Sequence, residues 1–266
     1  MDYFKLIILT GSLSLLNACG DSSGGGGGPA SVSPSLPADA IILTTSNANS
    51  VAQSATSTAD TTAVLVGIEA SLPAPQAAIN TLTDYVFDKS NRTSSIATGI
   101  TTTDSCPNGG TVTDSYNGST TSISGSFNFN QCDFGNFKFN GNFSYSSTWN
   151  DNTGAYTDTG NGSLTLTTPN DSYSMAMNFT DTGNDISGDS SITLSFSISG
   201  ANLGGFLVTT SQPLTSTNFT TASAGQLIVT GANNTRLRIT ITSSTSADIE
   251  FDNGSGSFVF LNSIFI

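Results

Sequence analysis

From about residue 93 to the C-terminus, apolar residues recur at every second position, which limits the fold more than any other feature of the chain. Successive side chains of a β-strand point to opposite faces of a sheet, so this period predicts strands with one apolar and one polar face. The polar positions are mainly Ser, Thr and Asn. We expect a common interior for Phe127, Phe129, Phe139, Leu166, Met175, Leu194, Phe196, Ile239 and Phe258.

Turn-forming residues separate the alternating segments, and they predict how consecutive strands are connected. Asn-Gly between two alternating runs is a strong signal for a hairpin, and such pairs occur at Asn117-Gly118, Asn161-Gly162 and Asn253-Gly254. We therefore predict an all-β domain over residues 93–266, an antiparallel meander of roughly ten to twelve strands.

The apolar face of such a meander must be buried, and the sequence leaves three arrangements open. Two sheets could pack as a sandwich, or one sheet could curve into a half-barrel around its own side chains or a ligand. The third arrangement is a membrane barrel whose apolar face meets lipid.

Two segments of different composition precede the β-rich domain. Residues 19–60 are rich in Gly, Ser, Pro and Thr, with an unbroken glycine run at Gly24–Gly28, and they predict a disordered tether. Residues 61–92 carry apolar residues at helical spacing, interrupted by Pro73 and Pro75. We expect one or two short amphipathic helices there that cover an edge or open end of the sheet.

The N-terminus carries Lys5, an apolar run from Leu6 to Leu16, and the sequence Leu16-Asn17-Ala18-Cys19. The run is shorter than the roughly 20 residues of a membrane-spanning helix. These residues resemble the signal peptide and lipobox of bacterial lipoproteins. The resemblance implies export, removal of residues 1–18 and acylation of Cys19, and therefore a membrane anchor. By the sorting rule of that family, Gly20 implies the cell outer membrane.

If Cys19 is acylated, Cys106 and Cys132 remain as an even pair in an oxidising compartment. A disulfide between them is the natural interpretation. The stretch around them, residues 105–141, also loosely resembles a segment of uncharacterised proteobacterial lipoproteins. That resemblance implies no activity.

Composition argues against several classes of function. The net charge is −13, and residues 140–235 contain no Lys or Arg. Nucleic acids and anionic lipid surfaces are bound through basic patches, so neither is an expected partner. The chain has no histidine, which removes Ser-His-Asp and Cys-His catalysis and the commonest zinc ligand. We expect no tight zinc site.

The most distinctive candidate for chemistry is an acidic strand formed by Asp248, Glu250 and Asp252, whose side chains share one face. Carboxylates at this spacing, followed by Asn253-Gly254, are close to a calcium loop. Paired carboxylates are also the groups that glycosidases use. The ordinary interpretation, which we prefer, is a solvated strand face whose charges discourage edge pairing.

Three further candidates have ordinary explanations that we also prefer. Gly188-Asp189-Ser190 is similar to a block found in some esterases, but it equally forms a hairpin turn. The acids Asp181, Asp185 and Asp189 fit turn chemistry. Trp149 and Tyr145 precede a loop rich in Asn and Asp and could stack on a sugar, although core or rim positions are commoner for such residues.

These observations predict a non-enzymatic lipoprotein of the outer membrane that has one β-rich domain with a binding or structural role. No cofactor is expected. The first alternative is a carrier whose curved sheet encloses an apolar ligand or acyl chain. The second is a surface adhesin that recognises glycans through polar loops and an exposed aromatic side chain. The ligand or protein partner is not specified by the sequence.

Overall fold

The computed structural model describes residues 32–63, 99–135, 137–169, 172–200, 204–218 and 222–266, with backbone alone for 57–63. These residues form twelve strands, one α-helix and one short 3-10 helix at Ala232–Asn234. The helix, α1, is Ala48–Ala63. The strands are β1 (Ile100–Ser105), β2 (Thr111–Gly118), β3 (Ser122–Asp133), β4 (Lys138–Trp149), β5 (Ala155–Thr167), β6 (Ser172–Asn184), β7 (Asp189–Gly200), β8 (Phe206–Ser216), β9 (Ala224–Thr230), β10 (Arg236–Ser243), β11 (Ser246–Asp252) and β12 (Val259–Phe265).

All twelve strands belong to one sheet whose spatial order is the order of the chain, β1 through β12. Every pair of neighbours is antiparallel, from β1 with β2 to β11 with β12. The predicted all-β antiparallel meander is therefore confirmed. The described strands form one continuous sheet instead of the two sheets of a sandwich, and β1 and β12 are its two edges.

The apolar face of this sheet holds the core. Eight of the nine side chains expected in one interior are buried: Phe127, Phe129, Phe139, Leu166, Met175, Leu194, Phe196 and Ile239. Phe258 is the exception, and its expected position is wrong. It precedes β12, and its ring lies against the guanidinium groups of Arg236 and Arg238, on the opposite face from Leu237 and Ile239.

The turn expected at Asn161-Gly162 is also absent, because both residues lie inside β5. Gly160 and Gly162 stand on the apolar face between aromatic neighbours. A Cβ at Gly160 would collide with the rings of Phe143 and Phe179. The rings of Phe143 and Phe179 stack over Gly160, with ring centroids 6.4 Å apart. The glycines of β5 therefore make room for large side chains of the neighbouring strands instead of forming a turn.

The chain before the sheet is more ordered than the composition predicts. Residues 35–43 run along the sheet, where Ala40 bridges Gly205 and the Leu43 N–H donates to Thr235 Oγ1 at 2.9 Å. α1 then packs against β9, β10 and β11. The prediction of a disordered tether is thus wrong for residues 32–60, while residues 19–31 lie outside the described part.

α1 packs closely because its buried face consists mostly of small side chains, which are Ala48, Val51, Ala52 and Ala55. The expected helical segment 61–92 shares only residues 61–63 with α1, and its remainder lies outside the described residues. Within the described chain, α1 has neither the length nor the hydropathy of a membrane-crossing helix.

Cys106 and Cys132 lie at disulfide distance, with Cα atoms 5.4 Å apart. Cys106 follows β1, and Cys132 lies near the end of β3. Backbone hydrogen bonds support this approach, since Asn108 N–H donates to the Asp133 carbonyl and Asp133 N–H donates to the Gly109 carbonyl. The cysteine pair therefore fixes the β1–β2 turn against β3.

Candidate binding surface on the polar face of the sheet

The polar face is a regular grid, because the antiparallel register places like residues opposite one another on successive strands. One row of directly paired residues crosses the sheet from β1 to β12. Its members are Thr101, Ser115, Ser126, Ser144, Asn161, Asn178, Ser195, Thr209, Ile228, Arg238, Glu250 and Phe260. From β1 to β8 every member is Ser, Thr or Asn, so this part of the row is neutral and hydrogen-bonding.

A groove of about 600 Å³ lies over this neutral part, on strands β4 to β8. The side chains that line it from the polar face are Ser144, Ser146, Thr159, Asn161, Asn178, Thr180, Thr193, Ser195 and Thr209. A second groove, of about 380 Å³, lies over β4 to β7 nearer their other ends and is bordered by Ser35 and Pro37. Among the described residues that line the two grooves, none carries a charged side chain.

Hydroxyl and carboxamide groups define what this surface can do chemically. Each can both donate and accept hydrogen bonds without carrying charge. Some are held by neighbours, as Thr210 Oγ1 donates to the Leu194 carbonyl at 2.7 Å and Thr103 pairs with Thr113 at 3.0 Å. The lining residues of the grooves offer hydrogen bonds to a neutral polar ligand, and they include no carboxylate, thiol or amine for acid–base or nucleophilic chemistry.

The same face changes character over β10 and β11, where two ion pairs cross between the strands. Arg236 Nη2 lies 2.6 Å from Asp252 Oδ2, and Arg238 makes a bidentate contact with Glu250 at 2.5 and 2.6 Å. The ring of Phe258 lies over both guanidinium groups, and its centroid is 5.0 Å from Arg236 Cζ and 4.4 Å from Arg238 Cζ. Such cation–π contacts add to the ion pairs.

These contacts shift the acid–base properties of the acidic strand. The hydrogen bond from Arg238 lowers the pKa of Glu250, and the hydrogen bond from Arg236 lowers the pKa of Asp252. Asp252 also accepts backbone N–H groups from Gly254 and Gly256, each at 3.0 Å. Both carboxylates are thus held ionised by groups of the protein itself.

The three carboxylates of the acidic strand, which the calcium hypothesis requires as ligands, are therefore occupied by other groups of the protein. Glu250 and Asp252 are each neutralised by an arginine, and Asp248 accepts a hydrogen bond from Ser263 at 2.6 Å. Across the described part of the chain, no three acidic or cysteine side chains are grouped in a way that could hold a metal ion. The register of β10 with β11 creates these ion pairs, and spacing along β11 alone does not reveal them.

The remaining acidic candidates divide between turns and the interior. Asp189 accepts a hydrogen bond from Ser187 at 2.8 Å, and Ser190 pairs with Ser216 at 2.9 Å, so Gly188-Asp189-Ser190 belongs to the β6–β7 hairpin. Asp181 instead lies on the apolar face, where it accepts a hydrogen bond from Tyr156 at 3.2 Å. The turn interpretation is therefore wrong for Asp181.

Sequence reasoning missed a polar cluster on the apolar face at one end of β2 to β6. Asp114 and Asp158 are buried there with Ser147 and Tyr145, and Asp158 pairs directly with Asp181 across β5 and β6. Burial, together with nearby carboxylates, raises the pKa of Tyr145 and that of Tyr156. The signal was present, because Asp114 and Asp158 interrupt the apolar positions of their strands.

The two aromatic candidates for sugar stacking lie on this inner face. Tyr145 is buried, and Trp149 is half-buried opposite Tyr156 at the strand end. Neither ring stands on the neutral polar face, so the preferred core or rim assignment fits both. Cys19, the expected acylation site, lies outside the described residues.

No protein-family model, curated protein or solved structure matches this chain. The main property of the polar face over β4 to β8 is that uncharged hydrogen-bonding side chains from several strands lie side by side.

Proposed function

We propose that this protein is a non-enzymatic lipoprotein of the bacterial outer membrane, anchored through Cys19, whose β-sheet binds a neutral polar ligand. The observation that carries the proposal is the groove of about 600 Å³ over β4 to β8, lined by Ser, Thr and Asn. The chain has a net charge of −13, yet the described residues that line this groove carry no charge. Neutral polyhydroxylated molecules, such as glycans, match such a surface.

Of the two alternatives, glycan binding gains more support than the carriage of an apolar ligand. Several of the largest interior side chains, including Phe127, Phe139 and Leu166, have no accessible surface at all. A side chain without accessible surface borders no space large enough for water. The grooves described above lie instead on the polar face, where an acyl chain would meet hydroxyl groups.

The anchoring part of the proposal is tested by acyl labelling in cells. Cys19→Ser should abolish palmitate incorporation and release the protein from the membrane fraction. The matched control is Cys106→Ser/Cys132→Ser, which removes the other two cysteines and should leave labelling intact. Unchanged labelling of Cys19→Ser would reject the anchor.

The binding part is tested with neutral oligosaccharides as probes, by measuring retention of the purified full-length protein on an immobilised panel. Asn161→Ala/Asn178→Ala removes two carboxamides from the groove and should reduce retention at least about tenfold, the loss expected for two good hydrogen bonds. Asn128→Ala, on the same face outside the groove, is the control and should bind like wild type. Failure of the wild type to bind any neutral glycan, or equal retention of the groove variant, would reject the proposed ligand class.

A further inference from the structure

β12 is an edge strand that exposes large apolar side chains. Val259 is 65% exposed, Phe260 58% and Phe265 87%. β12 pairs with β11 alone, so in the described chain the backbone groups on its outer side face no other strand. An edge of this kind is a ready template for pairing with another strand.

The sequence of this edge lacks the devices that usually prevent such pairing. No charged residue and no proline occurs from Asn253 to Ile266. A register shift between Ile249 and Glu250 marks a bulge, but it leaves a regular ladder from Asn262 to Phe265. Protected edges carry inward or outward charges, prolines, or a covering element.

The opposite edge, β1, has a different composition. Its sequence is Ile-Thr-Thr-Thr-Asp-Ser, with exposed hydroxyl groups and the charge of Asp104. Thr101 and Thr103 are held by hydrogen bonds to β2, each at 3.0 Å. β1 is therefore a poor match for an apolar strand, whereas β12 is a good one.

We propose that β12 is a dimerisation strand that pairs antiparallel with β12 of a second copy of this chain. Isologous pairing of this kind joins identical surfaces about a two-fold axis and closes at two subunits. Pairing of β12 with β1 of another copy would instead set apolar side chains against hydroxyl groups and the Asp104 carboxylate.

The occupant is a second copy because the strand complements itself. Val259 and Phe260 stand at one end, and Ile264 and Phe265 stand at the other, with Asn262 between them. Antiparallel pairing brings the apolar start of one strand to the apolar end of the other. Each copy of the chain has a net charge of −13, so two copies repel each other least where they meet through the uncharged residues 253–266. The dimer leaves the groove over β4 to β8 unoccupied and does not depend on the proposed ligand.

The test is the mass of the full-length protein in mild detergent, measured by analytical ultracentrifugation over a range of protein concentration. The wild type should be a dimer. Phe260→Lys/Phe265→Lys places positive charges on β12 of both copies. Dimerisation should weaken at least about tenfold, because like charges brought together across an interface repel strongly. Both side chains are exposed, so unchanged circular dichroism should confirm that the variant folds.

The matched control is Thr101→Lys/Thr103→Lys, which makes the same change of charge on β1 and should leave the dimer intact. A wild type that is monomeric throughout would overturn the proposal, including the case in which its β12 aromatics bind lipid vesicles or the strand of another protein. A dimer that survives the β12 lysines, or that the β1 lysines dissociate equally, would overturn it as well.

Discussion

The same face of the same sheet is built differently over β9–β11 and over β2–β6. Over β9–β11 the interior is aliphatic, with Leu227, Val229, Leu237, Ile239 and Ile249 all without accessible surface, and α1 covers it. Over β2–β6 the interior is aromatic and includes buried carboxylates. There the rings of Phe127 and Tyr145 stack at 5.2 Å, and Asp114 is buried nearby.

The difference shows two ways of burying one face of a long meander. A helix with small side chains lies close against aliphatic strands, because alanine keeps the helix near the sheet. Where aromatic rings fill the space instead, glycine must replace side chains on neighbouring strands, as Gly160 does beside Phe143. The aromatic region also contains polar groups whose burial costs free energy unless they are hydrogen-bonded.

The largest expected effect comes from the aliphatic region. Ile239→Ala leaves a cavity beneath α1 and should lower the free energy of unfolding by about 2–5 kcal/mol, the range for such truncations. Urea unfolding followed by circular dichroism measures the loss. Ile228→Ala, on the opposite face of β9, is the control and should cost much less. Equal losses would contradict the assignment of faces.

The cysteine pair of the aromatic region should contribute somewhat less. Cys106→Ser/Cys132→Ser releases a loop of 26 residues and should lower the free energy of unfolding by about 2–4 kcal/mol. The wild type in a reducing agent should unfold at the same urea concentration as the variant. A wild type that is insensitive to reduction would show that this region does not rely on the cross-link.

The aromatic region should also weaken at alkaline pH. The pKa of Tyr145 is raised in the folded state, so its contribution to stability is present below pH about 10, the ordinary tyrosine value, and is lost as pH rises towards the folded-state pKa. Absorbance titration should therefore show tyrosines that ionise well above pH 10. Tyr145→Phe should remove one of them, and a titration identical to the wild type would contradict its burial.

The smallest effect is expected on the polar face. Thr113→Val exchanges one half-buried hydroxyl for a methyl group and removes its hydrogen bond with Thr103. The Thr103 hydroxyl is exposed and can bond to water instead, so the free energy of unfolding should change by less than about 0.5 kcal/mol. Its neighbour Val112 points to the interior, and Val112→Thr should cost about 1–3 kcal/mol because it buries a hydroxyl. The reverse order of the two variants would show that β2 is out of register.

The alternation of the sequence was sufficient to predict the meander and most of the interior. A period of two is a direct consequence of strand geometry, and Phe127 or Ile239 could be placed from it without knowledge of neighbouring strands. The prediction failed where tertiary contacts override local pattern. Phe258 turns away from the core because two arginines lie beside it, and Asn161-Gly162 continues a strand because its neighbours are aromatic.

The candidate surface was harder to predict, for a physical reason. The groove depends on which residues stand opposite one another on five strands. The sequence of a single strand does not determine its register with its neighbours. The ion pairs of Glu250 and Asp252 could not be predicted for the same reason, because they depend on the register of β10 with β11. α1 was also missed, because a helix of Ala, Ser and Thr packs through small side chains and lacks a strong apolar pattern.

The central claim is that one face of the sheet is buried and the other is open, and maleimide labelling of adjacent cysteines in β8 tests it most directly. Val208 is fully buried, and Thr209 stands in the polar row that lines the groove. Thr209→Cys should label rapidly in folded protein, and Val208→Cys should label only after unfolding. Equal labelling of the two, or faster labelling at position 208, would contradict the assignment of faces.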